Sequence, residues 1–213
     1  MSNAWEIYKA ELFRKMPSLS STLNSGTDEN SIKAAEEEIG VSFGTELKEL
    51  YLANDGDDHE ALCGAILGFQ FLTLDELLSE WRSWKDFADD ESLNAPDRFT
   101  SVPEGCIKRR YADTKWLPLF SDEGGNFIGV DLDPDVKGTP GQIINFGRDE
   151  HDKAVLAESL GMFFERLTRI VRSSDFRIGE FDGEEVIYLG PYEDDEENDS
   201  YLTDYLLSDE SVK

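Results

Sequence analysis

Apolar positions in the first fifty residues recur at intervals of three and four. Trp5, Tyr8, Leu12 and Met16 share one face of a predicted helix over residues 4–16, which Pro17 ends because its ring offers no N–H and clashes with the preceding turn. After the polar stretch SLSSTLNSGT, Asp28 is placed to cap a second helix, DENSIKAAEEEIG. Its stripe is Ile32, Ala35 and Ile39, and Gly40 is its expected stop. A third helix, Thr45–Ala53, turns Leu47, Leu50 and Tyr51 inward and halts at Asn-Asp-Gly-Asp-Asp. CGAILGFQFLT is too short and too rich in glycine for a helix and reads as a strand. Thr73 and Glu76 have the reciprocal spacing of a capping box, so LDELLSEWRSWKDF follows as a helix with Leu74, Leu77, Leu78, Trp81 and Trp84 in core-facing rows. DDESLNAPDRFTSVPEG has two prolines and no period, and reads as a loop or surface arm.

From Trp116 the period changes to two. WLPLF is a short strand whose Pro118 demands an edge or irregular position, and SDEGGN is a turn. NFIGVDL sets Phe127, Gly129 and Asp131 on one face against Ile128, Val130 and Leu132 on the other, so the two strands form a hairpin. DPDVKGTPG is a second turn region and GQIINF a third strand. Ser159 then opens the helix SLGMFFERLTRIVRS, with Phe163, Leu167 and Ile170 inward. RIGEF and EEVIYLG flank Asp182-Gly183, the pair suited to a type I′ turn. The expected class is α+β: a largely antiparallel sheet, with a central meander, packed with N-terminal helices and a C-terminal helix. One domain is expected over residues 1–190 and an acidic tail over 191–213. The tail's only basic residue is Lys213, and a solvated, mobile segment is the expectation. Docking of Tyr201, Leu202, Tyr205 and Leu206 as an amphipathic turn is the alternative.

Charge narrows the partners. Twenty Lys and Arg stand against 47 Asp and Glu, a formal net charge of −27, which repels nucleic acid and anionic lipid and favours cationic partners. The two cysteines, Cys63 and Cys106, have no paired spacing, the N-terminus carries charges throughout, and the longest apolar run, ALCGAILGF, is too short to span a bilayer. A soluble protein of a reducing cytoplasm is expected.

No cofactor or metal is expected either. Asp131-x-Asp133-x-Asp135 opens like a calcium loop, but Val136 stands where glycine is needed and Gln142 where a bidentate Glu is needed, and Pro134 stiffens the backbone. Gly124 and Gly129 have the outer spacing of a phosphate loop, yet Val130 and Asp131 replace its Lys and Ser/Thr. A nucleophilic triad needs a base, and His59 and His151 show no triad pattern; their number with the two cysteines matches zinc, but their spacing does not. A hydrolase using a carboxylate pair lacks a visible activating partner, so no enzyme is expected.

WLPLFSDEGGNFIGVDL, KGTPGQIINFGRDE and SLGMFFERL, together with AAEEEIGVSFGTELKELYLANDGDD in the first half, closely resemble the SUKH superfamily. That superfamily includes fungal cell-wall synthesis regulators and bacterial toxin-immunity proteins. The resemblance runs from about Ile32 to Leu167 and implies a non-catalytic α+β domain that binds protein partners. The leading expectation is an immunity protein that occludes a basic, nuclease-type toxin; the alternative is a regulatory or scaffold protein of the cell-wall synthesis type. Asp122, Glu123, Asp131, Asp133, Asp149 and Glu150 are the candidate partner-binding residues, with plain solubility as the competing role of these acids.

Overall fold

The computed structural model describes residues 2–59, 63–190 and 202–208. Helix α1 (Ser2–Lys15) stops before Pro17, and a short 3-10 turn, Pro17–Ser21, follows. Helix α2 (Glu29–Ile39) is capped by Asp28, whose carboxylate accepts from the amides of Asn30 and Ser31, and ends at Gly40 with φ +73. Helix α3 (Thr45–Ala53) leads to strand β1 (Gln70–Phe71) and helix α4 (Leu74–Ala88), which carries the complete Thr73/Glu76 capping box. Then come β2 (Thr100–Val102), β3 (Trp116–Ser121), β4 (Asn126–Asp131), β5 (Gln142–Gly147), β6 (Asp152–Ala157), α5 (Leu160–Arg172), β7 (Phe176–Phe181), β8 (Glu184–Leu189) and α6 (Leu202–Ser208).

Six strands form one sheet in the order β1-β3-β4-β5-β6-β2, antiparallel except for the parallel pair of β2 with β6. β7 and β8 make a separate hairpin whose turn residues, Asp182 (φ +52) and Gly183 (φ +88), have the positive angles of type I′. The α+β class with a largely antiparallel sheet and central meander is therefore as expected. The main core lies on one sheet face, where α1 packs along α5 and Trp5, Tyr8, Phe71, Phe120, Phe163 and Phe164 form an aromatic centre. The other face carries Trp116, Phe127, Ile144 and Phe146, covered by Leu72 and Ile107. Both faces are thus buried, which is why β3 and β5 are buried along their whole length.

Four expectations need correction. The run CGAILGFQFLT is mostly tight turns rather than a strand: Leu67 (φ +49) and Gly68 (φ +103) reverse the chain, Ile66 and Phe69 exchange amide hydrogen bonds of 3.0 and 3.1 Å, and only Gln70–Phe71 joins the sheet. The arm contributes β2, an edge strand too short to show a period. β6 went unread because Asp152 and Lys153 resemble surface residues. Lys153 is in fact fully buried, its Nζ 5.2 Å from the ring centroids of both Phe99 and Trp116 and donating to the Glu150 carbonyl at 2.8 Å. Last, the solvated-tail expectation fails for residues 202–208. Leu202 and Leu206 are 2% and 3% exposed, and Arg166 of α5 donates to the carbonyls of Leu156 and Leu206. Residues 191–201 and 209–213 of that expected tail lie outside the described residues.

Pro118 sits where the β3–β4 register shifts, the irregular position its missing N–H requires. Across from it, a Cβ on Gly129 would lie 2.0 Å from the Leu117 carbonyl oxygen and 2.9 Å from the Phe146 ring. Two backbones meet here, so neither can yield cheaply. Gly129→Ala should cost about 1–3 kcal/mol in urea unfolding, as overpacking does; an unchanged midpoint would show that the bulge can relax.

Candidate functional site

The six candidate carboxylates do not make one surface. Asn126 and Asp131 end opposite ends of β4, about 17 Å apart at strand rise, and the acids divide between those ends. Asp122 and Glu123 in the β3–β4 turn, and Asp149 and Glu150 in the β5–β6 turn, lie together at one end. There the Asn126 side-chain oxygen accepts from the Asp149 amide at 2.8 Å, and the Arg148 amide donates to the Gly125 carbonyl at 3.0 Å.

Asp122 is half-buried and shapes its turn: its carboxylate accepts from the amides of Gly124 and Asn126 at 2.7 and 2.9 Å and from the Asn126 side chain at 2.8 Å. Glu123 and Asp149 are exposed, so they present charge to solvent. Glu150 is half-buried, and burial raises its pKa first of all, with Asp204 and Asp122 adding repulsion, while Asn145 and Lys153 oppose the rise.

At the other end, Asp131 corrects the reading of these residues as surface acids. It is fully buried beside Gln142, its partner across the β4–β5 pair, whose side chain also donates to the Cys106 carbonyl of the segment after β2. Gln142 donates to its carboxylate at 2.9 Å and the Asp133 amide donates at 3.1 Å. The calcium-like spacing is thereby taken apart: Asp133 is exposed and pairs with Lys108, and Asp135 accepts from the Val136 amide. Among the described residues, no group of three or more His, Cys, Asp or Glu is arranged to hold a metal ion. No helix among them is long and apolar enough to cross a membrane.

Burial raises the Asp131 pKa to about 6, chiefly through desolvation, and Asp55, Asp57, Glu80 and Glu150 are also raised with desolvation as the first cause. Each binds a proton more readily folded than unfolded, so each contributes stability below its unfolded pKa that is lost as pH rises through its folded pKa. For Asp131 that window runs from about 4 to 6 and is worth about 2–3 kcal/mol. The carboxylates held low, among them Glu11, Asp28 and Glu38, act in the opposite sense, with stability present above their unfolded pKa and lost as pH falls through their folded pKa. Thermal unfolding should therefore show a higher Tm at pH 5 than at pH 7; a Tm that rises between those values would contradict the burial of Asp131.

Two recesses flank the sheet ends. One, of about 650 Å³, lies beside Asp133 and is walled by Val41, Leu47, Val130, Leu132 and Leu160. The other, of about 600 Å³, opens beside the Glu123 turn, between that turn and α4. Glu76, Glu80 and Trp84 line it from successive turns of α4. That four-residue spacing was visible in the sequence, but Trp84 read as core; it is half-exposed, packed against Phe87, Tyr111 and Phe127. His59 also lines this recess and showed no sequence signal. Its ring nitrogens lie 3.5 to 3.6 Å from carboxylate oxygens of Asp57, Glu76 and Glu123.

This architecture coincides with a known family. Residues 26–166 match the SMI1 / KNR4 family (SUKH-1), a span covering all of the sheet and both recesses. The cell wall assembly regulator SMI1 of Saccharomyces cerevisiae is 34% identical over 180 residues, covering 69% of this chain and 35% of the yeast protein. The glucan synthesis regulatory protein of Neurospora crassa is 28% identical over 212 residues, covering 84% of this chain and 40% of its own length. The cell wall biosynthesis/cell cycle regulator smi1 of Schizosaccharomyces pombe is 28% identical over 172 residues, covering 75% of this chain and 34% of its own. The chain thus spans between a third and two-fifths of the length of these relatives. With the meander, the capped helices and the family match in agreement over most of its length, the chain belongs to the SMI1/KNR4 (SUKH-1) family.

Proposed function

We propose that this chain is a non-catalytic regulatory domain that acts in cell-wall synthesis by binding a cationic protein partner. The observation that carries the reading is the family match over residues 26–166, with relatives named as regulators of cell wall assembly and glucan synthesis. These relatives favour the regulatory expectation over the toxin-immunity one, which finds no support among them. The net charge of −27 and the exposed Glu123 and Asp149 at one end of the sheet favour a basic surface on the partner, drawn in by long-range attraction and held by contacts at the sheet end. The test is a chimera in which this chain replaces the matching third of the Saccharomyces cerevisiae relative. Restored cell-wall assembly in a strain lacking that relative is the expected result. A folded, expressed chimera that leaves the wall defective would overturn the reading.

A further inference from the structure

We infer that the recess between α4 and the Glu123 turn is an arginine-binding pocket, which takes one guanidinium from an extended segment of a protein partner. The inference deepens the regulatory reading by naming the chemistry that the partner presents. Its first support is an imbalance of charge in a partly desolvated place. Glu76, Glu80 and Glu123 line the recess, and Asp57 lies just behind His59. These four carboxylates face two basic residues, His59 and Arg148, and Arg148 stands on the rim, exposed, 3.9 Å from Asp149.

Glu80 is the centre of the imbalance. It is half-buried and has no hydrogen bond or ion pair among the described residues, while Glu76, one helical turn earlier, is occupied by the Thr73 cap. Burial raises the Glu80 pKa, and the Glu76 charge raises it further, as expected for a carboxylate awaiting a cation. Asp57 gives a second, independent sign. Its side chain is 1% exposed; its Oδ2 accepts from the Ala65 and Phe71 amides, whereas its Oδ1 has no hydrogen-bond partner among the described residues and faces the His59 Nε2 at 3.5 Å. A buried carboxylate oxygen with only an imidazole at that distance to meet it costs free energy that added positive charge nearby would offset.

The aromatic wall selects the cation. Trp84 and Tyr111 lie with ring centroids 5.2 Å apart and planes inclined by 38°, and Phe87 closes the same side with 41% of its surface exposed. Arginine fits such a wall better than lysine does. Its guanidinium is planar, stacks on aromatic faces, is weakly hydrated, and donates in a fork that can reach Glu80 and a second carboxylate together. The recess, about 600 Å³ and open, has room for one such side chain and the backbone carrying it.

The test uses N-acetyl-arginine amide as probe and the Trp84 indole N–H resonance as reporter. Saturable shifts at about millimolar probe are expected, together with a fall in the Glu80 pKa on binding. Glu80→Gln, which breaks no hydrogen bond or ion pair among the described residues, should weaken binding about tenfold, and 0.5 M salt should weaken it as well. Equal binding of the lysine or citrulline amide, or shifts that persist unchanged in Glu80→Gln, would overturn the assignment, as would the absence of shifts. This readout is separate from the chimera. A probe that fails while the chimera restores the wall removes the pocket and leaves the regulatory reading, and the converse result removes only the latter.

Discussion

Leu206→Ala is expected to destabilise the chain by about 3 kcal/mol, the cost of emptying a buried leucine site. For a chain of this size that corresponds to a fall in Tm of roughly 6–12 °C. The reason is that α6 seals the outer side of α5 and β6. Leu202 and Leu206 pack into the main core, the Tyr205 hydroxyl donates to Asp175 at 2.8 Å, and the Leu206 carbonyl accepts from buried Arg166. That last contact matters most electrostatically, because Arg166 is only 4% exposed and its guanidinium needs carbonyl acceptors. Removing residues 191–213 altogether should cost a few kcal/mol more than Leu206→Ala alone, as the second leucine and the arginine acceptor go with it, offset in part by the ordering entropy recovered. Urea melts of the two variants check both figures. A truncated chain as stable as the full one would mean that α6 rests on the domain without holding it.

Trp116→Ala should cost about 3–5 kcal/mol, the range for truncating a large buried aromatic. The indole is 2% exposed, meets Phe146 at a centroid distance of 5.6 Å, and roofs the buried Lys153 ammonium together with Phe99. Its loss would leave a cavity and take away one of the two aromatic faces that enclose the Lys153 ammonium. Desolvation already lowers the Lys153 pKa to about 8. Trp116→Phe should be far milder, about 1 kcal/mol, since the indole Nε1 makes no hydrogen bond among the described residues and the ring face is kept. Chemical unfolding of the pair distinguishes the two contributions; equal losses would place the weight on the indole nitrogen instead.

Asp122 offers the contrast with a surface charge. Reversal of Asp122 and Glu123 to Lys reads from sequence as a change on a loop tip that leaves the fold alone. Asp122 in fact organises the turn by accepting three hydrogen bonds, so only the Glu123 change alters charge while keeping those turn bonds.

Wherever structure follows from neighbours in the chain, the residues alone were sufficient. The Asp28 cap, the Gly40 stop, the Thr73/Glu76 box and the Asp182-Gly183 turn are each settled within four residues, by a side chain reaching an adjacent amide or by a φ that few residues tolerate. The period-two run of β4 likewise assigned Phe127 and Ile128 to opposite faces correctly. What failed were the residues whose environment comes from distant segments. Asp131 is buried beside Gln142 of the paired strand, Lys153 because Phe99 and Trp116 enclose it, and Leu202 and Leu206 because α5 and β6 supply the apolar surface that an acidic run lacks. The recess beside Glu80 belongs with these: its helix stripe is local, but the Tyr111 and Glu123 wall arrives from more than thirty residues away. Periodicity reports how a residue sits on its own helix or strand, whereas burial of a charge depends on which other chain segment covers it, and only tertiary packing decides that.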